Sequence, residues 1–475
     1  MLSNLFKKTN LIYLVSIIFI ILSIFTLFNF IFSFKIFLLI NFILLIHYIS
    51  IIYCIKYEKN EYFPILPLIT IYFFSTYTFS FLIGKKDFFY ESFNSDILTK
   101  SILILIVGLS SLFVGYISVV RFYKNRKKIF FYFNFDDTKK KNILFFSLIL
   151  TCLLSFNSNC FSYLNFSFFK QIKEPFILFT FGLILLMILK KNIKSFFSYI
   201  LLMTFIFIIF FIEISTGATV FAFSLLIFLF SIYFFLKKKI SLLVIFLFVI
   251  LLVFIHSIKY DLRDLVWKNN FDCFEKINVT KDFISNRINK DLKNNFLNDR
   301  SYTNNKNRLF HSIISLNITS KLTPDIVPFY QGESYKIIFT KIIPRDFWKN
   351  KPDDAQGNFW GHRYLVLNPD DNLTSWNFPV LNEFYANFGM LGVLLGMFLL
   401  GFFTKFLILK LYPKNISDLE MLVSSVIIFN LFFLENNLSQ ILGKMIHQFI
   451  FFNMLFIFIY LFSKFTSKYI KKFYL

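Results

Sequence analysis

L-N-E-F-Y-A-N-F-G-M-L-G-V-L-L-G-M-F-L-L-G-F-F-T-K-F-L-I-L, residues 381–409, changes character part-way along. Its first seven residues hold Asn382, Glu383 and Asn387, whereas residues 388–409 are apolar apart from Thr404 and Lys405. A helix rises about 1.5 Å per residue and a bilayer's hydrocarbon layer is about 30 Å thick, so about 20 apolar residues cross it. The run from 388 is therefore read as a membrane span entered from a polar segment. The same template finds twelve spans, near 11–34, 36–55, 62–83, 97–120, 143–162, 174–189, 196–213, 217–236, 240–256, 388–409, 419–435 and 445–463. Asn157, Ser158 and Asn159 interrupt the fifth, and Pro175 opens the sixth.

Composition agrees with a bilayer as the solvent. With 57% hydrophobic and only 16% charged residues, a chain of 475 has too little polar surface to clothe a water-soluble globule. A net charge of +23 would suggest nucleic acid in a soluble protein, but these charges sit mostly in short loops between apolar runs. The 75 Phe reflect compositional drift as much as function, so aromatic stripes are not taken as site signals. The four cysteines, at 54, 152, 160 and 273, have no metal-ligand or redox spacing.

Lysine and arginine bias orients the spans, because short cytoplasmic loops retain the positive residues. One set of loops and ends, including Arg121, Lys124, Arg126, Lys190, Lys237 and Lys471, carries 24 of them; the opposite short loops carry seven, among them Lys100, Lys173 and Lys444. Both termini are expected in the cytoplasm, with the first span uncleaved. The chain then divides into spans 1–9 (residues 1–256), a large outer loop (257–387) and spans 10–12 (388–475).

The loop is nearly charge-balanced, with 18 Lys/Arg against 15 Asp/Glu, and is not a nucleic-acid clamp. Its first part reads as a connector. From about residue 308 it gathers Pro, Gly, Trp and Arg, as a shaped surface does. Guanidinium groups match phosphate oxygens in a planar fork. Arg263, Arg308, Arg345 and Arg363, with Lys349 and Lys351, would sit where a lipid-linked diphosphate presents its head group. Glu383, just before the tenth span, suits a general base or an arginine's partner, and equally a helix N-terminal acid. His311 and His362 are lone loop histidines able to act near neutral pH. Gly389, Gly392, Gly396 and Gly401 give the tenth span small residues for close packing. No H-E-x-x-H, D-x-D, Walker loop or G-x-S-x-G occurs, so no metal site is expected.

Arg308, P-R-D-F-W-K-N-K-P (344–352), G-N-F-W-G-H-R-Y (357–364) and L-N-E-F-Y-A-N-F-G-M-L-G (381–392) together resemble the Wzy-type oligosaccharide repeat-unit polymerases, the O-antigen polymerase class. The resemblance implies an all-α polytopic protein of the bacterial inner membrane, with about twelve spans, a GT-C-like polymerase/ligase architecture and one large periplasmic loop. It implies a metal-independent glycosyltransferase without cofactor, whose partners are an undecaprenyl-diphosphate-linked oligosaccharide, the lipid bilayer and a chain-length regulator. Arg345 and Arg308 would hold the leaving diphosphate, assisted by Lys351 and Arg363. Glu383 would orient an arginine or take the acceptor hydroxyl's proton, and Arg263, His311 and His362 complete the substrate-binding set. One spacing departs from the pattern: eleven residues separate Arg345 from Gly357, where some relatives have ten. An O-antigen ligase and a flippase of lipid-linked sugars remain as alternatives, the flippase disfavoured by the absence of repeat symmetry.

Overall fold

The computed structural model describes residues 8–28, 34–57, 63–83, 94–119, 137–156, 167–190, 195–217, 219–237, 261–267, 271–291, 310–340, 356–372, 374–413 and 416–473, with a few single residues near 248–258, at 269, at 343 and at 348–351. All regular structure among them is helical. In chain order the helices are α1 (Lys8–Phe28), α2 (Phe34–Tyr57), α3 (Ile65–Leu82, with a π-helical turn at Phe74–Thr78), α4 (Ser95–Ser118) and α5 (Asp137–Phe156). Then come α6 (Ser167–Leu189), α7 (Phe196–Ser215), α8 (Thr219–Lys237), α9 (Cys273–Asp291), α10 (His311–Leu322) and α11 (Glu333–Thr340). The last are α12 (Gly357–Arg363), α13 (Val380–Leu411), α14 (Asp418–Phe429) and α15 (Leu438–Phe473).

Eight of these, α2, α3, α4, α6, α7, α8, α13 and α15, are long and apolar enough to cross a membrane; α1 and α5 contain shorter apolar stretches, Ile12–Thr26 and Lys141–Ser155. This fits a polytopic α-helical membrane protein. The span expected at 240–256 lies almost wholly outside the described residues. The one expected at 419–435 is a shorter piece, twelve residues of α14 followed by a 3-10 turn at Asn430–Phe432. Large apolar side chains stand exposed along α1, α2 and α7, as on a lipid-facing surface. Within the bundle, hydroxyls that would lack water turn back onto their own helices, as Thr70 does to the Leu66 carbonyl and Thr180 to that of Phe176.

Two expectations change in detail. Pro175 does not open α6 but lies inside it, eight residues after Ser167, because packed membrane helices tolerate a missing N–H. The glycines of α13 do not form one face with one task. A Cβ on Gly401 would overlap the Leu112 carbonyl of α4, and one on Gly115 of α4 would overlap the Phe398 carbonyl of α13, so backbone meets backbone where these helices cross. Gly392 and Gly396 instead face Phe384, and Gly389 marks a break.

Polar contacts tie the helix ends together in two groups. Lys190 and Asp418 pair at the ends of α6 and α14. At the opposite end of α6, Glu174 lies 3.8 Å from Lys444 of α15, and Lys173 bonds Glu213 of α7 at 2.8 Å.

Candidate functional site

The site is built where α13 breaks. Phe388 (φ −141°, ψ 18°) and Gly389 (φ 62°, ψ −144°) leave helical geometry, so residues 380–387 form a short helix folded back on the long half. Only a glycine occupies such a φ without strain. A break strands the carbonyls of the last helical turn, and in an apolar setting they need donors. The loop before α11 supplies them: Tyr330 N donates to the Ala386 carbonyl (2.9 Å), Gln331 N to the Asn387 carbonyl (3.2 Å), and Gly332 N to Asn387 Oδ1 (2.8 Å). Asn387 Nδ2 donates to Ser334 Oγ at 3.0 Å and to the Glu383 carbonyl at 2.8 Å.

On the other flank lies α10, an unusual helix for a core. Ser312, Ser315, Asn317, Thr319 and Ser320 are all buried. Most of this polarity is matched across elements. Asn382 Nδ2 donates to Ser315 Oγ (2.7 Å), and Tyr77, on the π-helical turn of α3, donates to Asn382 Oδ1 (3.3 Å). Ser101 and Ser320 share a hydroxyl contact of 2.9 Å, and Lys100 Nζ donates to the Ser320 carbonyl at 2.7 Å, a cation at the negative end of a helix. The Asn317 amide has no hydrogen-bond partner.

Glu383 lies in the first turn of the short helix and is 0% exposed. It does not cap its own helix. Its Oε2 accepts from the backbone N of Leu438, 2.6 Å away, the first residue of α15. Asn437 Oδ1 accepts from Gln440 N at 3.1 Å, so two of the four open N–H groups at the start of α15 are met by side chains. Glu383 Oε1 makes no hydrogen bond of normal geometry; beside it lies the Ser334 hydroxyl, which accepts from Asn387 and keeps its own O–H to donate.

Over this junction sits a lid with its own apolar core of Trp360, Tyr364, Trp376 and Phe378. Trp360 stacks on Phe378 with ring centroids 4.2 Å apart. Burial pushes the Tyr364 hydroxyl up to about 12, so it stays a neutral phenol beside Thr323 Oγ1, 2.9 Å away. Gln356 Oε1 accepts from Asn437 Nδ2 (2.9 Å), fastening the lid to the start of α15.

Of the residues expected to act, Arg308 and Arg345 lie outside the described residues. Lys351 is 5% exposed and donates to the Ile343 carbonyl at 3.0 Å, so in this conformation it closes a turn and does not face solvent. Arg363 is half-exposed; its Nη2 donates to the Pro328 carbonyl (2.7 Å) and its guanidinium lies 4.7 Å from the Tyr330 ring centre. The His362 ring Nε2 contacts the Asp371 carbonyl at 3.0 Å, and His311 lies against Trp376. Arg263 stacks at 3.9 Å on Trp267, in a separate cluster with Leu262 and Val266 against α7. Glu383, Arg363 and the two histidines thus belong to the lid and the broken helix, and Arg263 does not. Sequence reading missed Asn387, Asn382 and Lys100. An Asn two residues before a glycine, in N-F-G, was the available sign of a chain reversal at Asn387. Among the described residues no three His, Cys, Asp or Glu side chains gather as metal ligands do.

No curated protein and no solved structure matches the chain. A family described as a domain of unknown function, DUF8712, matches residues 69–468, which takes in α4 to α14, the lid and most of α3 and α15. The chain belongs to that family.

Proposed function

We propose that the protein is a repeat-unit polymerase of lipid-linked oligosaccharides, acting on the outer face of the bacterial inner membrane with both termini in the cytoplasm and about twelve spans. In the reaction the non-reducing-end hydroxyl of an incoming lipid-linked unit attacks the anomeric carbon of the growing chain. The bond from that carbon to the lipid diphosphate breaks, and the diphosphate leaves with the electron pair. Arg345 and Arg308 neutralise its charge where it develops. The hydroxyl proton goes to Glu383.

The observation that carries the reading is the unpartnered Oε1 of Glu383, held at 0% exposure under a lid and beside the break of a membrane helix. A buried acceptor without a donor costs about 1–3 kcal/mol, and an arriving guanidinium or sugar hydroxyl would supply that donor. Support also comes from position, since the polar lid and the apolar span meet at this carboxyl, as a substrate with a glycan head and a lipid tail requires. Chromosomal replacement Arg345→Ala tests it. Cells should carry glycans of a single repeat unit in place of a ladder of lengths. An unchanged ladder refutes the proposal, and loss of all attached glycan points to a ligase instead.

A further inference from the structure

α11 and the described residues that follow it present more apolar side chain than a surface facing water needs. Phe339 is 78% exposed, and Ile343 and Trp348 also stand out. Water-facing surfaces seldom group large apolar side chains in this way. α11, E-S-Y-K-I-I-F-T, explains the pattern. Its Ser334 is buried, and the helix packs on α15. Glu333 and Lys336 pair at 2.6 Å on its polar side. Phe339 stands one turn after Lys336, beside the ion-paired side and away from the buried Ser334.

We propose that α11, with Ile343 and Trp348, lies in the outer interface of the bilayer, with Phe339 and Ile343 among the acyl chains. Continuity with the membrane-crossing surface argues for lipid as the occupant. α11 begins where Gly332 meets the ring of Phe388, 3.2 Å from the position of its missing Cβ. Phe388 heads the long half of α13, whose Leu391 is 71% exposed, with Leu395 and Leu399 following at helical spacing. The apolar outer surface of the span therefore reaches the start of α11. The flanking groups suit an interface as well: Trp348 is followed by the exposed Lys349, an indole and an ammonium that prefer the head-group level.

The test uses full-length protein with its four native cysteines replaced, in vesicles of phosphatidylcholine and phosphatidylglycerol. Phe339→Cys, Ile343→Cys and, as the polar-face reference, Lys336→Cys each carry an environment-sensitive fluorophore. Lipids brominated on the acyl chain should quench the probe at 339 at least about twofold more than at 336, and aqueous iodide should quench in the reverse order. The proposal fails if iodide reaches 339 and 343 as readily as 336. It fails equally if shielding at 339 comes with energy transfer between labelled copies at high lipid dilution, which would make a second copy the occupant. Ile343 sits in an exposed turn, so its substitution leaves a readout even if Phe339→Cys folds poorly.

Discussion

Replacing Glu383 in two ways separates its structural task from its chemical one. Glu383→Gln keeps an oxygen for the Leu438 N–H but has no group to take up a proton. A hydrogen bond to a neutral acceptor contributes about 0.5–1.5 kcal/mol in either side chain, so the loss stays under about 1 kcal/mol. The new amide can donate toward the Ser334 hydroxyl, the polar group beside Oε1. Glu383→Ala removes the acceptor altogether. It strands the first N–H of α15, at about 1–3 kcal/mol, and leaves a void among side chains that are themselves buried, adding roughly 1–2 kcal/mol. Thermal unfolding of the detergent-solubilised chain should therefore rank wild type, Gln and Ala, with Ala about 3 kcal/mol below wild type. The glycan ladder should not follow that ranking. Both variants should give single repeat units, because neither has a carboxylate to take the proton. If Glu383→Gln supports a wild-type ladder, the carboxyl is a helix cap only and the reasoning from its unpartnered oxygen is wrong.

Other perturbations have expected sizes. Gly401→Ala drives a methyl into the Leu112 carbonyl of α4 and should cost about 1–3 kcal/mol in thermal unfolding, since two backbones must separate. Lys173→Ala breaks a pair with Glu213 whose side chains are largely buried and should cost about 3 kcal/mol, whereas Lys190→Ala, at the more exposed pair with Asp418, should cost under about 1 kcal/mol. Arg363→Ala loses the bond to the Pro328 carbonyl and the stacking on Tyr330; hydrogen exchange across residues 326–332 should quicken by an amount matching about 1–2 kcal/mol, and Arg363→Lys should restore only part of it.

The membrane-crossing helices could be read from the chain because their signal is local: some twenty apolar residues in succession. The break at Phe388–Gly389 could not, because four glycines recur in the same apolar run and only contacts decide which one bends the chain. Glu383 was found as a carboxyl entering a membrane helix, but its partner Leu438 lies 55 residues away, and no spacing rule reaches that far. Lys351 and Arg363 illustrate the converse. Both read as free cations in a polar loop, yet each spends a donor on a carbonyl, of Ile343 and of Pro328, that local composition does not reveal. In the sequence Lys100 is one more loop charge; its partner, the Ser320 carbonyl, comes from α10, 220 positions along the chain.

The three N–H groups that Tyr330, Gln331 and Gly332 lend to the end of the short helix also set how the lid can move. Lifting that loop uncaps Ala386 and Asn387 in a place with little water to replace the lost donors. At about 0.5–1.5 kcal/mol per bond the uncapped form lies roughly 2–4 kcal/mol uphill, a minor state of about 0.1–10%. Such a latch opens rarely but reversibly, and a substrate that brings its own donors to those carbonyls would hold it open for as long as it stays bound.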